Sequence, residues 1–139
     1  MPVLTEILDG NIALVTMSGK SATQSFSMEF LPEIAAAIDS ALSDKSVKGL
    51  VITGDGKFFS AGADINAFAE AIEHNEAPKL IRELTGVLHP LISRMRQSPT
   101  ICVAAINGAC AGGGLGLALA CDVRICLLYT SDAADELRS

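Results

Sequence analysis

Tryptophan is absent from this chain, and aromatic residues fill only 4% of its 139 positions. Small and aliphatic side chains must therefore build the core, and the length suits one domain or part of one. Basic residues are few, with 10 Lys and Arg against 16 Asp and Glu. They form no stripe, which argues against nucleic acid or an anionic membrane surface as a partner. No apolar run is long enough to span a bilayer: Ile101–Ile106 falls far short of the roughly 20 residues required. Met1-Pro2 begins without the charged segment of a signal peptide. Cys102, Cys110 and Cys121 sit in apolar surroundings without metal-ligand spacing, so they read as reduced core thiols of a cytoplasmic protein that holds no metal.

From Cys126 the character of the chain changes. The stretch CLLYTSDAADE resembles the translation of a transposase-type sequencing adapter. On that reading residues 1–125 are the natural part, a partial domain, and residues 126–139 are non-native. Setting aside Asp132, Asp135, Glu136 and Arg138 leaves 13 acids and 9 bases, a net charge of −4 in place of −6.

Within the natural part, Val3–Leu8 and Asn11–Met17 flank Asp9-Gly10, a hairpin signal between aliphatic runs. Ser18–Ser27 is polar and reads as a loop. Met28–Leu42 carries Leu31, Ile34, Ala35, Ile38 and Leu42 at helical spacing, with Pro32 tolerated in the first turn. Lys48–Thr53 is a strand, and Ile65–His74 a short helix or loop. In Ala77–Ser98 one face carries Leu80, Ile81, Leu84, Val87, Leu88, Leu91, Ile92 and Met95, and Pro99 ends the helix. Thr100–Ile106 is apolar throughout, as for a strand covered on both faces. Gly112–Ala120 is apolar all round, as for a buried helix. Asp122–Ile125 begins another strand. Strands alternating with helices predict a parallel sheet, whose ligands bind beyond the carboxyl ends of the strands.

Two glycine turns fall at such ends: Phe58–Asp64 (FFSAGAD) and Ile106–Gly114 (INGACAGGG). Backbone N–H groups presented from neighbouring loops can hold a developing oxyanion, and glycine lets a substrate approach the backbone closely. Other chemistries fit less well. Gly112-Gly113-Gly114-Leu115-Gly116 lacks the spacing of a dinucleotide fingerprint, and Gly54-Asp55-Gly56-Lys57-Phe58 lacks the Ser or Thr of a P-loop. No serine directly follows the second turn, in residues 115–125, to serve as a protease nucleophile.

Taken together, Ser60-Ala61-Gly62-Ala63-Asp64-Ile65, Ala104-Ala105-Ile106-Asn107-Gly108, Gly112-Gly113-Gly114 and Cys121-Asp122 resemble the enoyl-CoA hydratase/isomerase (crotonase) family in order and separation. The resemblance covers essentially all of residues 1–125. It implies an α/β, crotonase-like spiral fold of ββα units, here truncated before the C-terminal helical region. It implies an acyl-CoA thioester as substrate, no cofactor beyond the CoA of that substrate, and a homotrimer or hexamer for the full-length parent. Carried onto this chain, the backbone N–H groups of Ala63 and Gly113 form the oxyanion hole. Ala63, Asp64, Ile65, Asn66 and Gly113 touch substrate, although Asn66 stands where some members carry lysine. The departure is Gly116. Hydratases of the family carry a catalytic glutamate there, three residues after the second donor, and glycine can neither move a proton nor orient water. Double-bond isomerisation or other non-hydratase chemistry is therefore expected of the parent. The alternatives are hydration by acids outside this chain, or a truncated chain without catalysis. Gln24 replaces the asparagine usual in the family's first loop.

The adapter reading predicts that genomic DNA beyond the Ile125 codon continues in frame with different residues, including a new acid. Sequencing the source locus checks this, and a genome encoding CLLYTSDAADELRS would contradict it.

Overall fold

The computed structural model describes residues 3–127. Residues 128–139, which hold most of the adapter-like stretch, lie outside the described residues, as does the Met1-Pro2 start.

In chain order the elements are β1 (Val3–Leu8), β2 (Ile12–Met17), α1 (Leu31–Ser43), β3 (Gly49–Gly54), β4 (Phe58–Ser60), α2 (Ile65–Glu73), α3 (Ala77–Gln97), β5 (Ile101–Ile106), β6 (Ala109–Cys110), α4 (Gly113–Ala120) and β7 (Val123–Cys126). The main sheet has the order β1-β2-β3-β5-β7, and β4 and β6 form a separate small sheet. β1 runs antiparallel to β2, and every later pairing is parallel. β3 and β5 are each followed by a short strand and then helix before the next long strand, which is the expected ββα repeat.

The hairpin forms with Leu8 opposite Ile12, so Asn11 belongs to the turn and not to the strand. Its φ of 62° explains this, because asparagine tolerates the left-handed region that extended pairing excludes. α1 begins where Pro32 can sit without losing a bond, and it buries Leu31, Ile34, Ala35, Ile38 and Ala41. Leu42 packs only partly against the core. Arg94 on α3 grips Asp39 on α1 with two bonds of 2.7 and 2.8 Å. The pair is solvent-exposed, so it orients the helices more than it stabilises them.

One buried cluster joins Ala13, Val15 and Met17 of β2, Leu50 and Ile52 of β3, and Cys102, Ala104 and Ile106 of β5 to the apolar faces of α1, α3 and α4. Two expectations need correction here. β5 is not covered on both faces: Ile101 is 53% exposed, and Val103 and Ala105 are half-buried opposite Val51 and Thr53 of β3. Among the described residues the second face of the sheet has only partial cover, so an apolar run does not alternate in the sequence although its burial does. α4 is not buried all round either, since Leu115 and Leu119 are exposed while Leu117 and Ala118 are buried. On α3 only Leu91 and Met95 are fully buried, and Ile81 is 46% exposed. The apolar face of α3 outruns the core, and its amino-terminal half serves another purpose described below. Pro90 lies inside this helix and removes one backbone bond from it.

Burial pushes the Cys102 thiol up to about 11, with the nearby Asp122 carboxylate adding to it. Burial also raises Cys121, to about 12, next to Cys102 and Asp122. A folded-state value above the unfolded one stabilises fully below the unfolded value and is lost as pH climbs through the folded one. The urea midpoint should therefore fall from about pH 9 towards pH 11–12 more steeply in this chain than in a Cys102→Ala, Cys121→Ala variant. Alkylation with iodoacetamide at neutral pH should modify exposed Cys126 first and spare Cys102 and Cys121 until the chain unfolds.

Candidate functional site

The small sheet is what brings the two glycine turns together. β4 and β6 pair in parallel, Phe58 with Ala109 and Ser60 with Cys110, so both turns leave the same edge side by side. The Ala111 N–H donates to the Ser60 carbonyl at 3.0 Å. The polar loop after β2 supplies a third wall: Ala61 N–H donates to Thr23, Phe26 N–H to Gly62 at 2.7 Å, and Asp64 N–H to Phe26 at 3.2 Å. That register bonds the residues on either side of Ala63 and leaves the Ala63 N–H without an acceptor among the described residues. The Gly113 N–H is in the same position for a different reason. It opens α4, where no preceding turn provides an acceptor.

Gly62 and Gly114 are where this packing requires glycine. Gly62 has φ of 85°, and a Cβ there would stand 2.8 Å from the Gly113 nitrogen. A Cβ on Gly114 would overlap the Ser60 carbonyl. The two turns are therefore in backbone contact, closer than any side chain would permit.

Ala63 and Gly113 both line a cavity of about 180 Å³, together with Phe26, Leu31, Ile81, Leu84, Thr85 and Leu88. Its walls are almost entirely apolar. The one side-chain hydroxyl, on Thr85, is turned to the Ile81 carbonyl at 2.8 Å. The amino-terminal half of α3, left over from the core, forms one wall. These wall residues were not identified as a site from sequence, yet the signal was there: an apolar stripe running further along the helix than the core needs. In this setting two unbonded N–H groups, one at a helix start, favour negative charge. A second hollow of about 240 Å³ lies between α2 and α3, lined by Glu70, His74, Glu76, Lys79 and Glu83 among others, and touches neither turn.

The other expected site residues are placed differently. The Asp64 carboxylate caps α2, accepting from the N–H groups of Asn66 at 2.9 Å and Ala67 at 3.3 Å. Ile65 and Asn66 sit exposed on the first turn of that helix, outside the cavity. Lys57 is exposed. His74 ends α2 with Nδ1 2.9 Å from the Glu70 carbonyl. Asp122 accepts the Cys102 N–H at 2.8 Å. Gly116 lies on the second turn of α4, and a Cβ there would meet nothing within 4 Å. Among the described residues no group of three His, Cys, Asp or Glu could hold a metal, and no helix is long and apolar enough to cross a membrane.

Gln24 and Asn107 supply the scaffold behind the turns. Gln24 is buried with φ of 50°; its Oε1 accepts the Gly19 N–H at 2.7 Å and its Nε2 donates to the Asp55 carbonyl at 3.0 Å. Asn107 accepts the Gly54 N–H at 2.9 Å and donates to the Gly56 and Phe58 carbonyls at 2.9 and 3.1 Å. One carboxamide thereby ties the turn before β4 to the turn before β6.

Comparison with known proteins places these features in context. The family model described as enoyl-CoA hydratase/isomerase matches residues 8–135. A Bacillus subtilis (strain 168) protein named "Probable enoyl-CoA hydratase" is 36% identical over 125 residues, covering 90% of this chain and 46% of that protein. The fatty acid oxidation complex subunit alpha of Shewanella halifaxensis is 39% identical over 122 residues, 86% of this chain and 17% of its own. Among solved structures, the enoyl-CoA hydratase from Bacillus anthracis superposes with a TM-score of 0.78 at 26% identity, covering 91% of this chain and 47% of that one. The chain spans about half the length of the hydratases it matches.

Asn107→Ala should strip partners from the Gly54 N–H and from two carbonyls. Chemical denaturation should show a loss of about 1–3 kcal/mol. A loss indistinguishable from zero would show that the carboxamide does not hold the two turns.

Proposed function

The chain belongs to the enoyl-CoA hydratase/isomerase family, and from that premise we propose that its apolar cavity receives the acyl end of an acyl-CoA thioester. The observation that supports this reading is that Ala63 and Gly113, whose N–H groups find no acceptor among the described residues, line the same apolar cavity. In the proposed role these two groups form an oxyanion hole. When a base removes a proton alpha to the thioester carbonyl, the electron pair moves onto the carbonyl oxygen. Two preorganised donors at an apolar wall stabilise that charge. The start of α4 adds its partial positive charge. Asp64, Ile65 and Asn66, at the exposed start of α2 next to Ala63, are assigned contacts with the CoA portion. No cofactor beyond the CoA of the substrate is required.

For the full-length parent we favour double-bond isomerisation or related enolate chemistry over hydration. The support is Gly116: the position faces open space, so a glutamate would fit, yet glycine occupies it and cannot carry a proton. The second reading is hydration by acids beyond this chain, and the names of the relatives favour it. The parent is further proposed to be a cytoplasmic homotrimer or hexamer without nucleic-acid or membrane partners.

Thermal shift distinguishes the binding reading. Acetyl-CoA and crotonyl-CoA should raise the melting temperature of the chain, while NAD and ATP should leave it unchanged. Stabilisation by NAD and ATP alone would replace the thioester reading with a nucleotide-binding one. For the parent, a β,γ-unsaturated acyl-CoA should be converted to its α,β isomer faster than crotonyl-CoA takes up water. The opposite order would establish the hydratase reading.

A further inference from the structure

Behind the two donors lies a buried hydroxyl that does not line the cavity. We infer that Ser60 is a positioning residue that sets the separation of the Ala63 and Gly113 N–H groups; the inference rests on the thioester reading above. Ser60 is fully buried. Its Oγ accepts the Gly62 N–H at 3.1 Å, and so fixes the residue immediately before one donor. The same Oγ donates to the Gln24 carbonyl at 2.8 Å. Its own carbonyl accepts the Ala111 N–H at 3.0 Å, two residues before the other donor. On the far side Gly114 presses against it: a Cβ there would lie 2.7 Å from the Ser60 Cβ and 2.9 Å from its Oγ. One residue therefore touches both turns and the loop that walls them in.

The side-chain chemistry is specific to serine. A hydroxyl can accept from one backbone group and donate to another at once, which the Gly62 N–H and the Gln24 carbonyl together require. Alanine would leave both groups without partners in a site closed to water. Threonine would add a methyl group to a pocket already closed by Gly114. Gln24 is itself held at both ends of its carboxamide, so the carbonyl it offers Ser60 has a fixed position. Displacing Gly62 moves Ala63 directly, since the two share a peptide bond. Such a displacement leaves the cavity walls on α3 untouched, so it changes how the carbonyl is held and not whether the acyl chain fits.

Difference infrared spectroscopy of the full chain with crotonyl-CoA tests this through the thioester C=O stretch, which hydrogen bonding lowers. The unsubstituted chain should lower the frequency, and Ser60→Ala should lose most of that shift while still binding crotonyl-CoA. Ser60→Cys, which keeps a weaker acceptor and donor at the same place, should retain an intermediate shift. Cys102→Ala, a buried change away from the turns, should keep the full shift at its own cost in stability. If Ser60→Ala does not fold, the comparison of Ser60→Cys with the unsubstituted chain decides: an intermediate shift supports the assignment and a full one overturns it. A full shift in Ser60→Ala overturns the role of Ser60 alone. No shift in the unsubstituted chain overturns the thioester reading, and this assignment with it.

Discussion

The site depends on a single steric condition: two turns must meet backbone to backbone. Gly62 touches the nitrogen of Gly113 at a distance no Cβ would allow, and Gly114 is pressed onto Ser60 in the same way. The rest of the fold serves that contact. Parallel pairing of β4 with β6 starts both turns from one edge. Asn107 links the turns that precede those short strands. The loop after β2 closes the third side through bonds to Ala61, Gly62 and Asp64. The same bonds use the polar groups flanking Ala63, so that its N–H remains available by register and not by chance.

The apolar wall follows from a different economy of residues. α3 carries a longer hydrophobic stripe than the core can absorb. Leu91 and Met95 anchor it, and Ile81, Leu84 and Leu88 are left to face the cavity. Exposed apolar surface in a chain of this size calls for an occupant. Here the occupant proposed is an acyl chain, and the two N–H groups at the cavity wall determine where its carbonyl would stop.

Much of this was legible in the sequence. Helical spacing placed α1 and α3 within a few residues, and the two glycine turns were read as one site. Some features could not be read. The extent of burial on β5 and α4 failed because an apolar run carries no periodicity: Ile101 and Leu119 are exposed in segments whose composition suggests complete burial. The boundary at Asn11 was missed because a positive φ at asparagine is a property of the turn it enters. Gln24, noted only as a departure from the family, proves to be a buried link between the first loop and the turn before β4. Ser60 and Asn107 were visible as motif letters, but their roles come from partners dozens of positions away, and no local pattern records those.

The proposed chemistry asks this chain for charge stabilisation and leaves proton transfer to residues beyond it. Its central claim is that the Ala63 and Gly113 N–H groups are unbonded donors held between bonded neighbours. Amide hydrogen exchange followed residue by residue measures this most directly. In the free chain Ala63 and Gly113 should exchange fast while Gly62, Asp64, Ala111 and Gly114 exchange slowly, and acyl-CoA should protect those two amides selectively. Protection of Ala63 and Gly113 equal to that of their neighbours before ligand is added would contradict the account.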